Sequence, residues 1–69
     1  MKEIKIKTEY ITISQFLKYV DAVPSGGIVK AYLQEGIILV NGEVETRRGR
    51  KCYSSDLVEV TNGESYKII

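Results

Sequence analysis

The sequence predicts an α+β fold, a helix-turn-helix pair packed on a small, twisted, mainly antiparallel sheet. Two observations carry this expectation. Between Thr12 and Gly36, apolar residues recur at helical spacing with one short break at Pro24 to Gly27. On either side, short apolar or alternating runs are punctuated by the turn dipeptides Asn41-Gly42 and Asn62-Gly63. The 69 residues suffice for one domain, taken as 1–69 with its core motif at about 12–60.

Glu3 to Tyr10 alternates, with Ile4, Ile6, Thr8 and Tyr10 on one side, and reads as a half-buried strand. Thr12 and Gln15 are spaced as a capping box, with Ile11 and Phe16 placed to staple it. Ile13, Phe16, Leu17 and Val20 give a first helix ending before Pro24. Ser25 is a suitable cap for a second helix, whose stripe is Val29, Tyr32 and Leu33 and whose terminator is Gly36.

Beyond Gly36 the pattern becomes β. Ile37 to Val40 runs into the Asn41-Gly42 hairpin, and Glu43 to Thr46 returns. A basic loop follows, then a turn at Ser54-Ser55-Asp56, a strand at Leu57 to Val60, and a last strand at Tyr66 to Ile69. The two terminal strands are expected to pair.

Composition narrows the function. Hydrophobic residues at 43% and charged residues at 28% fit an ordinary globular domain and argue against disorder. No apolar run approaches a membrane span and no export signal opens the chain, so a cytoplasmic location without membrane contact is expected. The lone cysteine, Cys52, has no disulfide partner and reads as a small buried or half-buried apolar residue. The chain has no histidine, the most frequent general base and zinc ligand. Asp21 and Asp56 are placed to cap, and Glu43 and Glu45 read as solvated carboxylates on one face of a hairpin. With no phosphate loop, dinucleotide fingerprint or nucleophile motif, neither catalysis nor a cofactor is expected.

Charge is more informative by position than in total. The net charge is +1, yet Arg47, Arg48, Arg50 and Lys51 fall within five positions, leaving six basic residues against nine acidic elsewhere. A segregated patch can hold an anion on a nearly neutral molecule. Guanidinium groups pair with phosphate through two parallel hydrogen bonds, and Gly49 lets the segment bend toward a backbone. A second candidate is Ser25-Gly26-Gly27 with Lys30, where glycines at a helix start leave amides open to approach. Alone, that segment reads first as a tight inter-helix turn that needs small residues. Tyr53, two residues past the basic run, offers a stacking ring, although such a tyrosine more often packs on the core; Tyr19 and Tyr32 read as core or rim.

Taken together, the helix pair, the glycine-bearing helix start, Glu35-Gly36-Ile37-Ile38-Leu39-Val40-Asn41-Gly42-Glu43-Val44 and Asp56-Leu57-Val58-Glu59-Val60 resemble the ribosomal-protein-S-four-like RNA-binding domain, or alpha-L motif. The resemblance covers roughly Thr12 to Val60. It is nearest to the small stand-alone bacterial, YaaA-like members, through Gln15-Phe16-Leu17-Lys18, Ser25-Gly26-Gly27 and Arg47-Arg48-Gly49-Arg50-Lys51. Ser14 and Gly26 stand where many members carry arginine, and Ser55-Asp56 replaces a more usual Gly-Asp turn.

The resemblance implies binding to structured RNA, ribosomal or tRNA-like, on the ribosome or its assembly intermediates. It implies contacts from Ser25, Gly26, Gly27 and Lys30 at the second helix start and from Arg47, Arg48, Arg50 and Lys51 in the loop. Gln15 and Lys18 on the first helix are implied as well. Such contacts position a protein on phosphates, so RNA shape would select the target. The alternative is a protein–protein interaction module that kept the fold and lost RNA contacts. Duplex DNA is disfavoured, because the second helix start carries no Arg, Asn or Gln to read base edges.

Overall fold

The computed structural model describes residues 1–69 apart from Asp21, Pro24, Ser25 and Asn62. Helix α1, Ile13–Tyr19, begins where Thr12 adopts extended backbone and completes a capping box. Gln15 N–H donates to Thr12 Oγ1 at 3.3 Å, and Thr12 N–H donates to Gln15 Oε1 at 3.0 Å. Ile13, Phe16 and Leu17 fall on one face and are fully buried. Helix α2, Gly26–Gln34, buries Val29 and Leu33 against it. Gly36 ends this segment at φ 72°, a left-handed value that glycine adopts without a Cβ penalty. The expected Ser25 cap and the Asp21 capping role lie outside the described residues. No described helix is long and apolar enough to cross a membrane.

The main sheet has strand order β1-β7-β6-β3-β4, with β1 Lys2–Ile4, β3 Ile38–Val40, β4 Glu43–Val44, β6 Leu57–Val60 and β7 Ser65–Ile68. Three of its neighbouring pairs are antiparallel, and β1 lies parallel to β7 with Lys2 opposite Tyr66. The terminal segments therefore pair, as expected. A separate two-stranded ribbon joins β2, Ile11–Thr12, to β5, Lys51–Cys52. Phe16 of α1 meets Tyr66 of β7 edge to face at 5.6 Å, which ties the helices to the sheet.

Asn41 and Gly42 both have positive φ, 53° and 84°, as the tight hairpin between β3 and β4 requires. Asn41 does more than turn the chain. Its Nδ2 donates to Asp56 Oδ1 at 3.1 Å, its Oδ1 accepts from Leu57 N–H at 2.9 Å, and Asp56 Oδ2 accepts from Tyr53 N–H at 2.8 Å. The Asn-Gly hairpin and the later aspartate turn are thus one polar cluster across neighbouring strands.

Three expectations require correction. The strand predicted for Glu3 to Tyr10 stops at Ile4; one further backbone bond, from Ile6 N–H to the Ile69 carbonyl at 3.3 Å, follows before residues 7–9 bend toward β2. Thr8 and Tyr10 are exposed in consequence. The return strand ends at Val44, and Glu45 is 7% exposed where a solvated carboxylate was expected. Tyr19 stands at the end of α1 with 63% of its surface in solvent, outside both core and rim.

Candidate nucleic-acid interface

The basic segment is held by its backbone against the start of α1. Ile13 N–H donates to the Arg50 carbonyl at 2.9 Å and Ser14 N–H to the Arg48 carbonyl at 3.1 Å. These are first-turn amides with no partner inside the helix. With Gln15 N–H taken by Thr12, the opening amides of α1 are engaged and none is left to bind an anion. The loop follows from the ribbon: Thr12 sits opposite Lys51 and Ile11 opposite Cys52, so the residues before Lys51 fold over the helix start.

Glu45 holds the loop from inside. Its Oε2 accepts from the backbone amides of Thr46 at 3.0 Å and Arg47 at 2.9 Å, and from Arg47 Nε at 3.1 Å. Its Oε1 accepts from Arg47 Nη2 at 3.3 Å and lies 3.5 Å from Arg50 Nε. The Arg47 guanidinium bonded to it holds the Glu45 carboxyl below its ordinary value of 4.5, against the opposing push of burial. One buried carboxylate therefore holds two arginines; the Arg47 side chain is 76% exposed and the Arg50 side chain 28%. Arg48 is exposed and makes no ion pair among the described residues.

The remaining expected residues divide into two groups. Gln15 and Lys18 are exposed on α1, beside the loop anchored to that helix, and the Gln15 carbonyl is committed to the cap while its amide N–H groups stay unused among the described contacts. Gly27 and Lys30 are exposed on α2, and Gly26 opens that helix. No described hydrogen bond or ion pair joins this second group to the loop; α1 packs against α2 and is bonded to the loop at its start. Ser25 lies outside the described residues. Sequence reasoning missed Glu45, although its spacing of two and five residues before Arg47 and Arg50 was a signal.

Cys52 is fully buried, and its thiol is pushed up to about 11 by that burial, which makes it a packing residue. Lys51 and Tyr53 flank it on β5 and just beyond. Lys51 Nζ stands 4.8 Å from the centre of the Tyr10 ring, which is 6.0 Å from that of Tyr53.

Comparison with known proteins bears on this geometry. The family model of the S4 domain matches residues 4–69. Over 66 residues the chain is 47% identical to a protein of Bacillus subtilis (strain 168) described as "Probable ribosome maturation protein RlbA", covering 96% of this chain and 93% of that protein.

Proposed function

This chain belongs to the S4 domain family, and from that premise we propose that it is a non-catalytic RNA-binding module acting on structured RNA, ribosomal RNA first, in ribosome maturation. The observation that carries the reading is the ordered basic loop. The Arg48 and Arg50 carbonyls are bonded to α1 and the Arg47 and Arg50 side chains are braced by Glu45, so these two cations are presented on a fixed frame. Ordering such side chains before contact lowers the entropy lost on binding. The description of the Bacillus subtilis relative as a probable ribosome maturation protein supports a ribosomal setting for that protein, and the identity supports extending it to this one.

In this reading Arg47, Arg48, Arg50 and Lys51 grip phosphates from the loop. Gln15 and Lys18 extend the surface along α1, and Ser25, Gly26, Gly27 and Lys30 supply the contact at the start of α2. Because charge and backbone dominate, affinity should depend steeply on salt and weakly on base sequence.

The test is titration of labelled ribosomal RNA, transfer RNA and duplex DNA at several salt concentrations, beside Arg47/Arg48/Arg50→Ala. Support would be a preference for folded RNA with a log–log salt slope of roughly −3 to −4 that shrinks in the variant. Absence of binding at low salt would overturn the proposal and favour a protein partner.

A further inference from the structure

Three of the five tyrosines are exposed, and the fold brings them to the side of the molecule where the basic loop ends. Tyr10 is 38% exposed, Tyr53 44% and Tyr19 63%. A groove of about 590 Å³ runs between Tyr10 and Tyr19, with Ile11 and Gln15 in its wall. A smaller groove of about 260 Å³ shares Thr8, Ile11 and Tyr19 with it and adds Lys5 and Lys7. Lys51, the last residue of the basic run, stands over the Tyr10 ring. The aromatic cleft thus has Lys51 of the basic run against its Tyr10 wall and Lys5 and Lys7 in the adjoining groove.

We propose that the cleft between Tyr10 and Tyr19 takes an unstacked base from a single-stranded stretch of the bound RNA, its flanking phosphates resting on Lys51 and on Lys5 and Lys7. This deepens the RNA reading and rests on it. Three features favour a nucleotide over an apolar peptide. Exposed rings stack on any base. The three lysines complement phosphate. The Gln15 amide N–H groups are free of described partners and can donate to a base edge. Glu9 also lines the cleft. Its carboxylate repels phosphate but accepts from an exocyclic amino group, which puts the base inside, the phosphates outside, and cytosine ahead of uracil.

The experiment compares single-stranded hexacytidylate, hexauridylate and an abasic hexamer carrying the same phosphates. Binding is followed by tyrosine emission, which no tryptophan masks. Tyr19→Ala is expected to weaken hexacytidylate binding by about 5- to 150-fold while leaving the abasic hexamer unchanged. Tyr19→Phe should bind as the parent does, and Tyr10→Leu, which keeps bulk without a ring, should lose affinity like Tyr19→Ala. Circular dichroism confirms that each variant folds, as the exposure of Tyr19 favours. If Tyr19→Ala and Tyr10→Leu bind like the parent while Arg47/Arg48/Arg50→Ala weakens folded RNA, base capture is wrong and the RNA function stands. If the parent binds neither folded nor single-stranded RNA, both fall.

Discussion

Glu45 and Arg47 are joined by a two-pronged contact, Nε to Oε2 at 3.1 Å and Nη2 to Oε1 at 3.3 Å, across only one intervening residue. Its two halves sit in different surroundings. The carboxylate is nearly enclosed and the guanidinium mostly in water, so the anion is committed to structure while the cation keeps donors to offer outward. Arg50 reaches the same carboxylate from the far side of the loop.

Acidification should therefore weaken the fold through Glu45. Its carboxyl lies below the ordinary 4.5 because Arg47 donates to the charged form, so the stability it contributes is full above about pH 4.5 and is lost as pH falls through the folded value. Glu45→Gln should cost about 1 kcal/mol at pH 7, since an amide oxygen can still accept from the Thr46 and Arg47 amides but without charge. Urea denaturation from pH 7 to pH 3 checks this. The gap between parent and variant should narrow on acidification, and a constant gap would contradict the assignment.

Ser55 adopts φ 81° just before Asp56, at the position where the S-four-like pattern more usually has glycine. A left-handed conformation costs an L-residue roughly 1–2 kcal/mol, and a glycine there adds about 0.4–1 kcal/mol of unfolded-chain entropy to be lost. The difference favours glycine. Ser55→Gly is expected to raise stability by about 0.5–1 kcal/mol in thermal or denaturant unfolding, and any loss would mean that the Ser55 side chain contributes a contact of its own.

Much of this frame was legible locally. The Thr12–Gln15 box, the Asn41-Gly42 hairpin and the Gly36 terminator are short-range devices whose chemistry is written in adjacent residues, and each stands where it was read. What could not be read was tertiary. Alternation from Glu3 to Tyr10 describes a strand, but the length of its partner decides where the strand ends, and β7 supplies only three opposed residues. Glu45 looked solvated because hairpin glutamates usually are; its burial depends on the loop closing back over it, which Arg47 and Arg50 complete. The basic loop itself was visible as a charge run, whereas its attachment to Ile13 and Ser14 was not.

Cys52 gives a probe of that attachment. Burial raises its thiol to about 11, so little thiolate exists at neutral pH, and it lies on β5 opposite Ile11. Alkylation at pH 8 should be at least about 100-fold slower in the native protein than in denaturant, the ratio implied by a thiolate fraction lowered by some two pH units. Free-thiol rates in the folded protein would mean that the ribbon anchoring the loop opens readily in solution.

Arg48 should contribute more than Arg47 or Arg50 to the salt dependence of RNA binding. Arg47 and Arg50 share the Glu45 charge, so each already has an anion beside it and would neutralise less than a full phosphate. Arg48 has no such partner among the described residues, and its carbonyl, bonded to Ser14 N–H, anchors the backbone whatever the side chain. Arg48→Ala should therefore leave the fold intact and reduce the log–log salt slope by about 0.9, the value for one phosphate contact on a duplex-like target. Arg47→Ala and Arg50→Ala should each reduce it by less, and they alone should disturb the loop, since both remove a brace on Glu45. Equal or larger slope losses from Arg47→Ala would show that RNA draws this guanidinium away from Glu45 on binding, and the loop would then rearrange rather than present a fixed frame.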